Sequence, residues 1–178
     1  MDEGDFLVKE DIPKEPLIEL ILELDSKLTK KIDLYAVGGT GMTLLNLKAS
    51  TKDIDFNLKP NDYNEFKKAL AKTIHGYKID TFCNGEIFSQ HLPSNYVNKA
   101  IPIKLKFNNI NLFSIHPLDI VVTKIGRLNE RDWEDIKDCI KKYHLTKKNI
   151  LSRGKEITYI GNEELYHYNL QDIIKKMF

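Results

Sequence analysis

The chain has 178 residues, 42% of them hydrophobic and 30% charged, which suits one globular domain large enough to bury a core. Its 27 basic and 26 acidic side chains leave a formal net charge of +1, so no global field draws it to nucleic acid or an anionic membrane. Two cysteines, Cys83 and Cys139, stand far apart with no CxxC, and five histidines are scattered without ligand spacing, so neither a disulfide framework nor a zinc site is expected.

The N-terminal stretch MDEGDFLVKEDIPKEP is acidic and has no basic region leading into an apolar one, so no secretory signal is read there. The most apolar run, LIELILEL, is interrupted by glutamates and too short to span a bilayer. A cytoplasmic protein without membrane contact is expected.

In chain order, Leu17, Leu20, Ile21, Leu24 and Leu28 recur at helical spacing and predict a first helix from about Pro16 to Leu28. DLYAV reads as a buried strand, TGMTLLNL as a short helix, and DIDFNL as a second strand. Asn61 is the expected N-cap of a helix presenting Tyr63, Phe66, Leu70 and Ile74 on one face. YKIDTFCN resumes as a strand, and IPIKLKF with NNINLFSI forms an expected hairpin turning at the paired asparagines. Pro117 opens a helix, HPLDIVVTKIGRL. Two more follow, one with Trp133, Ile136, Ile140 and Tyr143 on a face, the other with Tyr166, Leu170, Ile173, Ile174 and Met177. KKYHLTKK, Lys141 to Lys148, reads as a solvated turn.

Three glycines, Gly38, Gly39 and Gly41, crowd the junction between the first strand and the short helix. A P-loop requires Lys-Ser or Lys-Thr at a set distance, and none follows. A dinucleotide fingerprint needs a third glycine where Leu44 stands, and a single acid downstream. Instead DIDF follows thirteen residues after Gly39, placing Asp53 and Asp55 on one face of a strand about 7 Å apart. Two carboxylates aimed at one spot repel unless a cation lies between them, and Mg²⁺ takes oxygen ligands and carries substrate phosphates. Asp80, in the next strand, can complete a set of three if the strands are neighbours. Gly38 and Gly39 would then let a triphosphate lie against the backbone at a helix start, with the Thr40 hydroxyl beside it.

VGGTGMTLLNLKASTKDIDF, with IDTF as a third acidic strand, resembles the glycine-pair and DxD signature of the nucleotidyltransferase superfamily typified by DNA polymerase β. TKDID and HPLDIVVTKIGRLNERDWEDI are similar to the minimal AbiEii-like branch, which includes toxins of toxin–antitoxin pairs. The likeness runs from about Leu34 to Ile140 and implies an α+β fold: a mixed sheet with flanking helices and a C-terminal helical segment. Residues 1–115 would form the catalytic core and 116–178 a helical part packed on it as one compact unit.

The resemblance implies that Asp53 and Asp55 bind Mg²⁺ or Mn²⁺, with Asp80 as third ligand or as base. Gly38, Gly39, Thr40, Lys124, Arg127 and Asp132 would serve the nucleotide, Lys124 facing its phosphates and Asp132 or Asp135 orienting Lys124 and Arg127. One departure from the family pattern is KAS before TKDID, where an arginine is expected. The implied activity is transfer of an NMP from an NTP to a hydroxyl acceptor, such as the 3′ end of tRNA, a protein or a small molecule, with an antitoxin as a further expected partner. The alternative is a nucleotide-binding module of the same fold without turnover.

Overall fold

The structure is a computed structural model describing residues 10–178; most of the acidic N-terminal stretch lies outside them. Its elements begin with β1 (Ile12–Pro13), α1 (Lys14–Lys27), β2 (Ile32–Ala36), α2 (Gly38–Leu44), β3 (Ser50–Thr51), β4 (Ile54–Leu58), α3 (Pro60–Ala71) and β5 (Ile79–Cys83). Next come β6 (Glu86–Ile87), β7 (Gln90–His91), α4 (Tyr96–Lys99), β8 (Ile101–Pro102) and β9 (Ile110–Ser114). The chain closes with α5 (Pro117–Lys124), α6 (Glu130–Tyr143), α7 (Lys147–Glu156), β10 (Thr158–Tyr159) and α8 (Glu163–Met177). Among the described residues no helix is long and apolar enough to cross a membrane.

The main sheet has the order β5-β4-β2-β9-β8. It is mixed: β4 and β2 are antiparallel, while β5 runs parallel to β4 and β9 parallel to β2. This is the α+β architecture expected. Alternation along β4 decides which side is core: Ile54, Phe56 and Leu58 are fully buried in a cluster with Leu17, Leu20, Ile21 and Leu24 of α1 and Phe66 and Ala69 of α3. Each such side chain contributes about 1.5–3 kcal/mol when removed from water. Asp55 therefore faces the opposite side, and Asn57 with it.

That opposite side holds a second cluster, in which Tyr35, Val37 and Met42 from the first half pack with Ile120, Val121, Ile136, Leu170 and Ile173 from the second. The C-terminal part is not purely helical, because β10 crosses over to pair with β7 in a three-stranded sheet with β6. It also contains a helix absent from the expected set: α7 starts where Thr146 and Asn149 cap each other reciprocally, so the solvated turn is confined to a few residues around His144, which adopts a left-handed conformation.

Other differences have local causes. The helix expected to begin at Asn61 begins at Pro60, whose missing N–H costs nothing at a first position, and Lys59 precedes it without a side-chain cap. That helix stops at Ala71, leaving Ile74 fully exposed beyond its apolar face. Of IPIKLKF only Ile101 and Pro102 pair with β9. Cys139 is buried, which pushes its thiol up to about 12, and Cys83 is half-buried; both are free.

Gly41 explains one of the three glycines without any ligand. A Cβ there would sit 2.5 Å from Ser114 Oγ and 3.0 Å from the Ala36 carbonyl oxygen, so its absence lets α2 lie against β2 and β9. Gly41→Ala should lower stability by about 1–3 kcal/mol; urea unfolding monitored by circular dichroism measures it, and an unchanged midpoint would contradict this packing.

Candidate active site

The turn from β2 into α2 and the start of β4 are locked together by backbone-directed bonds. Thr40 is fully buried, its hydroxyl donating to the Asp53 carbonyl (3.2 Å) and accepting from the Asp55 amide (2.9 Å). Thr51 Oγ1 donates to the same Asp53 carbonyl at 2.8 Å, and the Val37 amide to the Asp55 carbonyl at 3.1 Å. Thr40 thus does not face the cleft as expected from the sequence; its hydroxyl is consumed in positioning the acidic strand. Gly38 has φ of +52°, which favours glycine, and its missing side chain faces Asp55, a Cβ there lying 4.0 Å from Asp55 Oδ2.

Asp55 and Asp80 are directly opposite across the parallel pair β4–β5, and Asp53 lies two residues before Asp55. The carboxyl group of Asp55 is pushed up to about 6, first by burial, then by the charges of Asp80 and Asp53, against weaker relief from Lys78 and Lys124. Its Oδ1 is closed to solvent and has no hydrogen-bond partner. Yet among the described residues no three His, Cys, Asp or Glu side chains are grouped closely enough to hold a metal ion, so the expected three-aspartate cage is not preassembled. Lys78 pairs with the Asp80 carboxylate at 3.4 Å. The orphaned Asp55 oxygen, in a set of hard oxygen donors with excess negative charge, fits a divalent cation.

Opposite the acids, a cleft of about 410 Å³ is lined by Gly38, Gly39 and Asp55 on one side and by Thr123, Lys124, Gly126 and Arg127 on the other. Lys124 is buried, not solvent-facing, and its Nζ lies 3.3 Å from Asp132 and 3.0 Å from Asp135. Lys48, which stands in the segment where an arginine was expected, meets the far side of Asp135 at 3.1 Å. Arg127 forks onto Asp132, Nε at 2.9 Å and an Nη at 2.7 Å. Asp132 does not line the cleft. It also accepts from the Asn129 amide in a reciprocal cap that starts α6. Burial opposes its ionisation, but the Arg127 hydrogen bond, the Lys124 charge and the Asn129 amide hold its carboxyl below the usual range. Asp132 thus holds both Lys124 and Arg127, and Asp135 holds Lys124.

The rest of the lining is formed by residues without a signature in the sequence: Ile87, Phe88, Ser89, Gln90 and Tyr159. Asn57, on the Asp55 face of β4, anchors them. Its Nδ2 donates to the Glu86 carbonyl at 2.7 Å, and its Oδ1 accepts from the Gly85 amide and the Tyr96 hydroxyl. DIDFN thus carries, after its two acids, a side chain that fixes the segment forming this wall.

A glycine turn thus lies against an acid-bearing strand and is faced across a cleft of about 410 Å³ by Lys124 and Arg127. The chain belongs to a family described as nucleotidyltransferase of unknown function (DUF6036), whose model matches residues 15–177. No curated protein and no solved structure matches it.

Two outcomes test this geometry. Because Asp55 titrates near 6 when folded and near 3.8 when unfolded, the folded state binds the extra proton between these values. Stability on this account is highest below about pH 4 and falls by roughly 2–3 kcal/mol as the pH rises through 6. Asp55→Asn should therefore raise the melting temperature at pH 7.5 without added metal, the gain vanishing near pH 4; a variant less stable at both values would contradict the repulsion. Asp132→Ala leaves Lys124 and Arg127 without their shared carboxylate and removes a cap, and should cost about 3 kcal/mol or more in chemical denaturation.

Proposed function

We propose that the protein transfers a nucleoside monophosphate from an NTP to a hydroxyl acceptor at the cleft between Gly38-Gly39 and Lys124. The observation that carries this reading is the Asp55 carboxylate: half-buried, repelled by Asp53 and Asp80, with one oxygen closed to solvent and lacking any partner and a bare glycine facing it. A carboxylate kept in that state costs stability unless a cationic ligand arrives. Asp53 and Asp55, with Asp80 beside them, are the residues that would hold Mg²⁺ or Mn²⁺. When bound, the ion neutralises the acids and the phosphate charge together.

The chain's own groups supply the remainder. Gly38 leaves the backbone uncovered, so a triphosphate can approach it without meeting a side chain, whereas Gly39 is bare because a Cβ there would meet Thr51 Oγ1 at 2.8 Å. Lys124 and Arg127, tethered from behind, bring positive charge to the phosphates without having to reorganise. The acceptor oxygen attacks the α-phosphorus, the bond to the bridging oxygen breaks, and pyrophosphate leaves. Asp80, opposite Asp55, takes the proton of the attacking hydroxyl. Acceptor candidates are a tRNA 3′ end, a protein hydroxyl or a small molecule, and a toxin paired with an antitoxin is the cellular role most in keeping with the resemblance to the AbiEii-like branch.

A second reading draws on the Lys78–Asp80 pair, which occupies the third acid: a module that binds nucleotide without turnover. Incubation with α-labelled NTPs, Mg²⁺ and cell lysate distinguishes the two. Label should enter one acceptor fraction and be lost by at least about a hundredfold in Asp53→Ala and Asp55→Ala. Thermal stabilisation by NTP and Mg²⁺ without any labelled product would favour the module. Undiminished labelling by both variants would refute the transfer site.

A further inference from the structure

The wall of the cleft contributed by the small sheet has no role in phosphate handling, and its chemistry differs from the rest. Gln90 in β7 is 4% exposed, and its carboxamide Oε1 is closed to solvent with no hydrogen-bond partner. A buried acceptor without a donor is costly, and few are tolerated without a reason. Gln90 is held from three sides. Its strand pairs with β6 and with Tyr159 of β10. Gly126, at the end of α5, presses on it: a Cβ there would overlap both the Gln90 carboxamide nitrogen and the Tyr159 ring.

Phe88, at the tip of the β6–β7 hairpin, has φ of +52°, an uncommon conformation for a bulky side chain, and remains 60% exposed. Its ring rests against Phe82, at 4.9 Å between centroids, on the strand that carries Asp80. An aromatic face presented to the cleft and a carboxamide edge held beside it are the two elements that hold a nucleobase, one by stacking and one by edge recognition.

Resting on the transferase reading above, we propose that Phe88, Gln90 and Tyr159 form the nucleobase subsite and that Gln90 selects a base with an amino group at purine C6 or pyrimidine C4, adenine or cytosine. A base entering on its C6 or C4 edge brings the exocyclic group of that edge to the orphaned atom of the carboxamide. That atom is an acceptor, Oε1, and it requires a donor. Adenine and cytosine present an amine there with a ring nitrogen acceptor beside it for the carboxamide N–H. Guanine and uracil present a carbonyl, which would set oxygen against oxygen.

Dissociation constants of the four NTPs and of inorganic tripolyphosphate, each with Mg²⁺, should be measured by equilibrium dialysis on the full chain and on two variants. In the native protein ATP or CTP should bind about tenfold or more tightly than GTP and UTP. Gln90→Leu should shrink that preference to less than about threefold and bring ATP affinity closer to that of tripolyphosphate. Phe88→Ala, at an exposed position that the fold tolerates, should weaken all four NTPs severalfold relative to tripolyphosphate. Equal binding of the four bases, a preference for GTP or UTP, or an unchanged preference in Gln90→Leu would overturn the base assignment and leave the phosphate site standing. Failure of every NTP and of tripolyphosphate to bind would overturn both.

Discussion

The structure turns on one unfavourable interaction: Asp55 is held partly out of water, next to two other carboxylates, by a strand whose opposite face is core. Ile54, Phe56 and Leu58 cannot leave the α1–α3 side without exposing three large side chains, so Asp55 cannot turn away from its neighbours. Thr40 ties the Asp53 carbonyl and the Asp55 amide to the glycine turn, the Val37 amide bonds the Asp55 carbonyl, and Thr51 holds the Asp53 carbonyl from β3. Hydrophobic burial on one face thus holds a repulsive charge cluster on the other. That is a common way for a fold to keep a ligand site poised at a cost in stability.

The facing wall follows the opposite logic. Lys124 is buried, which would be expensive alone, but it lies between Asp132 and Asp135, and Asp135 is shared with Lys48. Asp132 serves at once as helix cap, as seat for the Arg127 fork and as partner of Lys124. The start of α6 and the direction of both cations are therefore set by one carboxylate. A further buried pair, Arg153 with Asp119, joins α7 to α5 away from the cleft and makes the helical half stiff behind this wall.

Much of the polymer-level design is legible in the residues. Helical periodicity was enough to find α1, α6 and α8, and period-two alternation in DIDFNL to put Asp53 and Asp55 on one side of the chain. The pairing of a glycine turn with two acids pointed to phosphate chemistry. The roles of the individual polar groups were harder to read. Thr40 was expected to meet phosphate, but its hydroxyl spans two strands. Lys124 was expected to face phosphates, but its burial between Asp132 and Asp135 depends on α6, which no pattern within α5 announces. Phe88, Gln90 and Tyr159 carry no motif, since two of them, Gln90 and Tyr159, sit in two-residue strands and pair with each other across 69 positions of chain.

Local sequence by itself determined the elements, their faces and the chemistry available to them, because backbone propensity and hydrophobic period act over a few residues at a time. Only the tertiary structure decided which carboxylates meet, that Lys78 pairs with Asp80, that Lys124 is buried between two acids, and that Asn57 anchors a small sheet over the cleft. Those outcomes depend on strand order and on long-range electrostatics, where a side chain's partners come from parts of the chain that no local pattern brings together.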